Sequence, residues 1–512
     1  MALPKPTWGE MLYGDEMPET CAAEPRDPGI LTVAETQEGI LSIPRASWCD
    51  RGGWSTHSAA QEERYIRRPQ SDGANGDDGP RWYQRAIEDW ATHVWVRPQS
   101  RDPILERRRL TVMWLLVERG IGFPRDDKTG FPSIDGERWR QLRRFTITSL
   151  RNFGMGKTSM ERRVLEESEN LIRAVTKIEG KPFNALNLLG CAVGNITSCA
   201  LLGEHFDYND PKLQELIITT RRFIFNTHSP LHELGNTFPF LLNIPILKEK
   251  IFKESSKLIS FVKKYIEQHR KSLDPSAPRD FIDYFLLKIK EEEARSGSNF
   301  SETSLLMTLI ALLAAGTETT TSTLNFALNV ISNYPEVQGK VQQEIDEVTG
   351  SQRPPGIMDR AQMPYTNAVI HEVQRIMDLA PVAHYHAVTK ETHFRGYTIP
   401  KGTTVIPFIS SVLSDPTQWE TPEDFNPGHF LDEKGQFRLR SAFMAFSAGK
   451  RICAGENLAR MELFLLFTSL LQKFTLTLPP GTEPQDCRKL KQNKFKTLFL
   501  SHICAEPRSS TA

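Results

Sequence analysis

A cysteine enclosed by glycines stands near the C-terminus, in the run Phe446-Ser447-Ala448-Gly449-Lys450-Arg451-Ile452-Cys453-Ala454-Gly455, directly before a helical pattern over 456–473. Unpaired backbone N–H groups and the positive dipole end at a helix start favour a thiolate there, and a thiolate is a metal ligand. Gly449 and Gly455 let a flat partner approach the backbone, and Phe446 can pack beside it. Arg451 offers a planar guanidinium to an anionic group two residues from the sulfur. Taken alone, such a cysteine also reads as a buried core thiol.

Three weaker constellations precede it. Trp139 and Arg143, at i and i+4, share a helix face, as a surface cation stacked on an aromatic ring also does. Ala314-Ala315-Gly316-Thr317-Glu318-Thr319-Thr320 interrupts a leucine-rich helix with glycine, an acid and hydroxyls. Those types are unfavourable in a buried helix interior, and local disfavour in a core points to function, although a hydrogen-bonded polar patch would look the same. Glu372 and Arg375, at i and i+3, have the spacing of an ordinary ion pair.

Long helices must carry these residues. Apolar periodicity predicts helices over 137–150, 159–178, 188–202, 211–226, 246–271, 280–293, 363–377 and 456–473. The longest, Ser301–Asn333, opens at Ser301 with Ser304 three residues on, closes before Pro335, and is apolar on nearly all sides, so it runs through the core. Short β runs follow at 393–394, 397–399 and 404–408, separated by Gly396 and a Pro400-Lys401-Gly402 turn.

The chain has 512 residues, 63 Lys+Arg against 63 Asp+Glu, and a formal net charge of zero, so nothing global points to nucleic acid. Its seven widely spaced cysteines do not look like a disulfide framework. Neither a signal peptide nor a spanning run of about 18 apolar residues is visible.

Taken jointly, in this order and at these separations, the constellations resemble those of the cytochromes P-450, and the span from about 120 to the end resembles the vertebrate microsomal, drug-metabolising, family 2-like kind. Phrases such as Gly136-Glu137-Arg138-Trp139, Phe153-Gly154-Met155-Gly156-Lys157, Ile399-Pro400-Lys401-Gly402-Thr403 and Phe425-Asn426-Pro427-Gly428-His429-Phe430 carry the likeness. It implies a mainly α fold with small β-sheets and haem b between the 301–333 helix and the Cys453 loop. Cys453 would be the axial iron ligand, with Phe446, Gly449 and Gly455 shaping its loop. Trp139, Arg143, His386 and Arg451 match positions that hold the propionates. Glu318 and Thr319 match the proton relay and Ala315 the oxygen side. Glu372, Arg375 and His429 match a buried structural group. Leu379, Val382, Ala383, His384, Leu498 and Ala315 match the substrate wall; His384 and Tyr385 depart from the family, which usually has an apolar residue and often a proline there.

The activity so implied is an NADPH-dependent monooxygenase acting on an apolar xenobiotic, fatty acid or steroid. Electrons would come through NADPH-cytochrome P-450 reductase, with cytochrome b5 as a further donor, at the cytoplasmic face of the endoplasmic reticulum. A haem-binding but catalytically impaired relative, or a haem sensor, is the alternative; a non-haem protein with a redox-active Cys453 leaves Trp139, Arg143, Glu318 and Glu372 without a reason.

Residues 1–118 match the family poorly and carry no usual anchor; 119–512 form the expected catalytic domain. The expectation is that residues 1 to about 100 are poorly ordered, that membrane attachment is weak or absent and the chain cytoplasmic, and that haem retention is impaired. The strands around Phe394, Ile399 and Val405 would then show open edges unless a hairpin over 30–43 covers them.

Overall fold

A computed structural model describes residues 94–97 and 134–508, apart from 154–157, 228, 230, 232–237, 239–240, 242, 294–296 and 385. Its helices are α1 (Gly136–Asn152), α2 (Thr158–Thr176), α3 (Leu186–Leu202), α4 (Pro211–Thr227), α5 (Pro245–Ser272), α6 (Phe281–Glu292), α7 (Glu302–Asn333), α8 (Pro335–Val348), α9 (Pro364–Met377), α10 (Ile409–Leu413), α11 (Glu456–Lys473), α12 (Cys487–Gln492) and α13 (Lys494–Phe499). The mainly helical class and nearly every long helix thus follow the apolar periodicity.

Helix α7 is the spine. Ser301 caps it by accepting from the Ser304 N–H at 3.2 Å, while Ser304 Oγ accepts from the Ser301 N–H at 2.8 Å. Its leucines sit in the core on several sides: Leu305, Leu309 and Leu313 pack with Leu142 of α1, Leu213 of α4 and Phe281 of α6, while Leu324 and Phe326 pack with Phe464 and Phe467 of α11. Each such side chain contributes roughly 1.5–3 kcal/mol on leaving water. Among the described residues α7 is the one helix long and apolar enough to span a membrane, and it is the buried core.

Gly316, read from the sequence as part of a functional patch, has a packing reason instead. A Cβ there would lie 3.3 Å from the Thr197 side chain of α3. On α3 itself, a Cβ at Gly190 would meet Ile217 of α4 at 3.1 Å. Small residues therefore let α3 approach both α4 and α7 closely.

Three small sheets complete the fold. Strand β1 (Val94–Arg97) pairs antiparallel with β5 (Thr404–Pro407), Val96 opposite Val405, and β5 pairs on its other side with β2 (His386–Ala387). The expected open edge at Val405 is therefore corrected: 94–97 covers it, and the 30–43 hairpin lies outside the described residues. Strands β3 (Thr392–Phe394) and β4 (Tyr397–Ile399) form a hairpin turned by Arg395 and Gly396, at φ 47° and 81°. Strands β6 (Phe474–Thr477) and β7 (Cys504–Pro507) pair antiparallel after α11.

Candidate active site

Cys453 ends a tight loop. Ser447 turns at φ 63° and Gly449 at φ 72°, and the Cys453 N–H donates to the Phe446 carbonyl at 3.0 Å, which folds 446–453 back on itself. A Cβ on Gly455 would reach 4.0 Å from the sulfur, and Ala454 packs with the cluster that contains Leu309 and Leu313 of α7. The thiol is exposed, yet burial is the main influence on it and pushes its pKa up; N–H groups of Gly455 and Glu456 and the charge of Arg143 pull it down. Both observations fit a sulfur at the floor of a recess. The expectation that the helix start favours a free thiolate is corrected here, because desolvation outweighs the N–H groups, whereas a coordinated metal ion deprotonates a thiol outright.

Two guanidiniums crowd the same recess. Arg143 donates to the Ile452 carbonyl at 2.5 Å, and Arg451 to the Ile134 carbonyl at 2.7 Å. The Trp139 ring is near both, its centroid 4.2 Å from the Arg451 guanidinium carbon and 5.8 Å from that of Arg143. Burial lowers both pKa values, and Arg143 lowers that of Arg451 further. Among the described residues neither forms an ion pair with a carboxylate. His386 joins them: burial holds its pKa low, and Arg451 and His384 reinforce that.

Among the described residues Asp135 acts on Arg451 without pairing with it, and two crowded half-buried cations are costly, so the donor set fits a ligand that carries its own anions beside a soft metal centre for the sulfur. Trp139, Arg143, Arg451 and His386 suit the two propionates of haem, and Cys453 its iron. Residues 124–499 match the family described as Cytochrome P450. The chain belongs to the cytochrome P450 family.

Among its relatives, it is 47% identical over 358 residues to cytochrome P450 2F2 of Mus musculus, covering 70% of this chain and 72% of that one. It is 45% identical over 356 residues to cytochrome P450 2B4 of Oryctolagus cuniculus, covering 69% and 72%. With cytochrome P450 2C8 of Homo sapiens the identity is 45% over 351 residues, covering 68% and 71%. As a family 2-like P450 it is a haem-thiolate monooxygenase that uses dioxygen and NADPH-derived electrons supplied by a reductase.

In this P450 the polar segment of α7 splits into two faces. Ala315 and Thr319, one turn apart, are exposed on an otherwise buried helix, and Thr319 Oγ1 donates to the Ala315 carbonyl at 2.7 Å. Glu318 turns the other way. It is 5% exposed, both its oxygens accept from Arg221 Nε of α4 at 3.2 Å, and Ser322 donates to it at 3.3 Å. Burial raises its pKa and Arg221 opposes that rise. The sequence reading did not find Arg221; the signal available was an arginine pair, Arg221-Arg222, inside an otherwise apolar stretch of α4.

On the expected substrate wall, Leu379 and Val382 are exposed large apolar residues. The Ala383 N–H donates to the Pro407 carbonyl at 3.0 Å, which lays this segment along β5. His384 is exposed and close enough to His386 to act on its charge. Leu498 does not join them: it is 6% exposed, packs into the core, and its carbonyl accepts from Asn325 of α7 at 2.7 Å. Its neighbour Phe499 is the more open residue and meets Phe225 of α4 edge-on at 5.1 Å.

Glu372, Arg375 and His429 come together in full burial. Arg375 Nε and Nη2 each donate to Glu372 at 2.7 Å, Nη2 also donates to the Asp424 carbonyl, and Nη1 donates to the carbonyls of Leu413 and Pro422. His429 Nε2 accepts from the Thr421 N–H at 3.2 Å, which leaves Nδ1 to donate to Glu372. A second cluster with metal-type donors, His269, Asp280 and Asp283, is taken up by protein contacts: His269 bonds Asp280 at 2.7 Å, and Arg279 clasps Asp283.

Proposed function

We propose that Cys453 is the axial iron ligand, that Trp139, Arg143, His386 and Arg451 hold the propionates, and that Ala315 and Thr319 form the oxygen side. The observation that carries this reading is the pair of half-buried guanidiniums, Arg143 and Arg451, with backbone partners and no salt bridge to a carboxylate among the described residues, beside the Cys453 sulfur. Bound haem supplies the chemistry by which dioxygen is split, one atom entering the substrate and the other leaving as water, at the expense of two electrons and two protons.

The chain's own residues manage the protons. The Thr319 hydroxyl proton is engaged with the Ala315 carbonyl, so its oxygen can accept from a water in the cleft; handing a proton on requires that back-bond to open. Glu318 is held closed by Arg221 and Ser322, and burial raises its pKa while Arg221 opposes that rise, which favours its acid form over that of a solvated glutamate. The substrate is a small apolar molecule, a xenobiotic, fatty acid or steroid, resting on Ala315, Leu379, Val382, Ala383 and Phe499. The reductase is NADPH-cytochrome P-450 reductase, with cytochrome b5 as a second donor, at the cytoplasmic face of the endoplasmic reticulum membrane.

The test is haem content per polypeptide in Arg143→Gln, Arg451→Gln and the double variant. Stepwise loss is expected, with the thermal midpoint of the apoprotein unchanged or raised, because two crowded cations are relieved. Full haem content in the double variant would overturn the assignment.

A further inference from the structure

Four threonines occupy 319–321 and 323 of α7, and three of them donate to the carbonyl four residues back: Thr319 to Ala315, Thr321 to Thr317 and Thr323 to Thr319. Thr320 instead reaches across to Glu462 of α11. Glu462 is 1% exposed, and its Oε1 has no partner among the described residues. No charged side chain of the elements packed on α11, namely α2, α7, α8, α9, β6 and the segment Ile357–Gln362 with its Asp359 and Arg360, acts on it; on its own helix, Glu456 and Arg460 pair with each other at 2.9 Å. Burial alone pushes its pKa up to about 8, against a small downward pull from the Thr320 hydroxyl.

The bond joins two helices that flank the site. Helix α11 starts three residues after Cys453, and Thr320 adjoins Thr319, which is exposed. An ionised carboxylate with one hydroxyl partner and one bare oxygen is untenable in that core, whereas the neutral acid is compatible with it. We propose that Glu462 is a positioning residue for the oxygen reaction: as an un-ionised acid it keeps α7 and α11 in register through Thr320, fixing Thr319 relative to the Cys453 loop, and its ionisation releases that register.

The sign follows from linkage. The folded chain retains this proton while an unfolded glutamate loses it near pH ~4.3, so the contribution is whole below that pH and is lost as pH rises toward the folded value. The proposal rests on the placement of Thr319 at the oxygen side; the proton on Glu462 does not, so the two fail separately.

The experiment compares the holoenzyme with its Glu462→Gln variant across pH, reading thermal midpoint and peroxide released per NADPH oxidised with reductase. Wild type is expected to lose stability relative to Gln with a one-proton slope up to about pH 8 and to release more peroxide above it, while Gln shows neither. Parallel profiles for the two proteins would overturn the proposal. Infrared titration gives an independent reading on wild type and Thr320→Val: a protonated carboxyl band that disappears near pH 8 in wild type and at higher pH in Thr320→Val supports it. A band already gone at neutral pH in both would overturn it even if Glu462→Gln fails to fold.

Discussion

In the proposed site, the role of the Thr319 hydroxyl is to keep oxygen reduction productive. Replacement by Ala removes it without opening the core, since the residue is exposed to the cleft and Ala is the better helix former. Thr319→Ala is expected to bind haem as wild type does, to shift stability by no more than about 0.5 kcal/mol, and to divert reduced oxygen to peroxide. Product and peroxide per NADPH consumed check this, and equal coupling in the two proteins would contradict it. Arg221→Gln acts on the other acid. Removing the cation that lowers the Glu318 pKa lets burial raise it further, so the alkaline limb of the coupled reaction moves to higher pH. A pH profile of coupling read on wild type and variant shows the shift.

Residue types and setting singled out Cys453, Arg451, Glu318 and Thr319 as candidates, whereas Trp139 and Arg143 alone read as an ordinary surface pair and entered the candidate site through the family resemblance. Residue types could not reveal that Glu318 is buried while its neighbour Thr319 is exposed, nor that Arg221 meets Glu318 across 97 residues of chain. Helical phase gives relative direction, and only packing gives the partner. Leu498 and Phe499 show the same limit: one position decides which of two apolar neighbours joins the core.

Among the elements, long helices were legible because most bury one face at a 3.6-residue period, while α3, α7 and α11 are buried nearly all round and show instead as long apolar stretches. Helix α8 escaped because Pro335 reads as a stop, whereas it occupies the first turn of a new helix, where its missing N–H is not needed. The β6–β7 pair escaped because its strands lie 26 residues apart and only long-range pairing joins them. At this scale the irregular segment 413–429 has little regular structure, and Arg375 organises it through three backbone carbonyls while Glu372 receives the Asn426 N–H at 2.9 Å. Glu372→Ala would strand the Arg375 charge in full burial. A loss of about 3–5 kcal/mol is expected, enough to unfold or empty the site, and chemical denaturation followed by the haem absorption band measures it. A midpoint unchanged from wild type would show that this pair is dispensable.

For the whole molecule, the net charge is zero, so any electrostatic steering must be local. Arg144, Arg438 and Lys450 are exposed, and among the described residues no salt bridge engages them, while Arg140 is occupied by Glu137 and Arg440 by Glu420. Reduction by the reductase is expected to slow as ionic strength rises, and Lys450→Glu to slow it at low salt, with Arg440→Gln acting on stability rather than docking. Stopped-flow reduction rates at two salt concentrations distinguish these effects; a rate flat with salt would remove the electrostatic steering. The central claim, thiolate ligation of haem iron by Cys453, is tested most directly by the reduced carbon monoxide difference spectrum of wild type and Cys453→Ser. The account predicts the thiolate-haem band in wild type and its loss in the variant, because a neutral hydroxyl cannot replace a charged, polarisable sulfur donor. The same band in both proteins would contradict it.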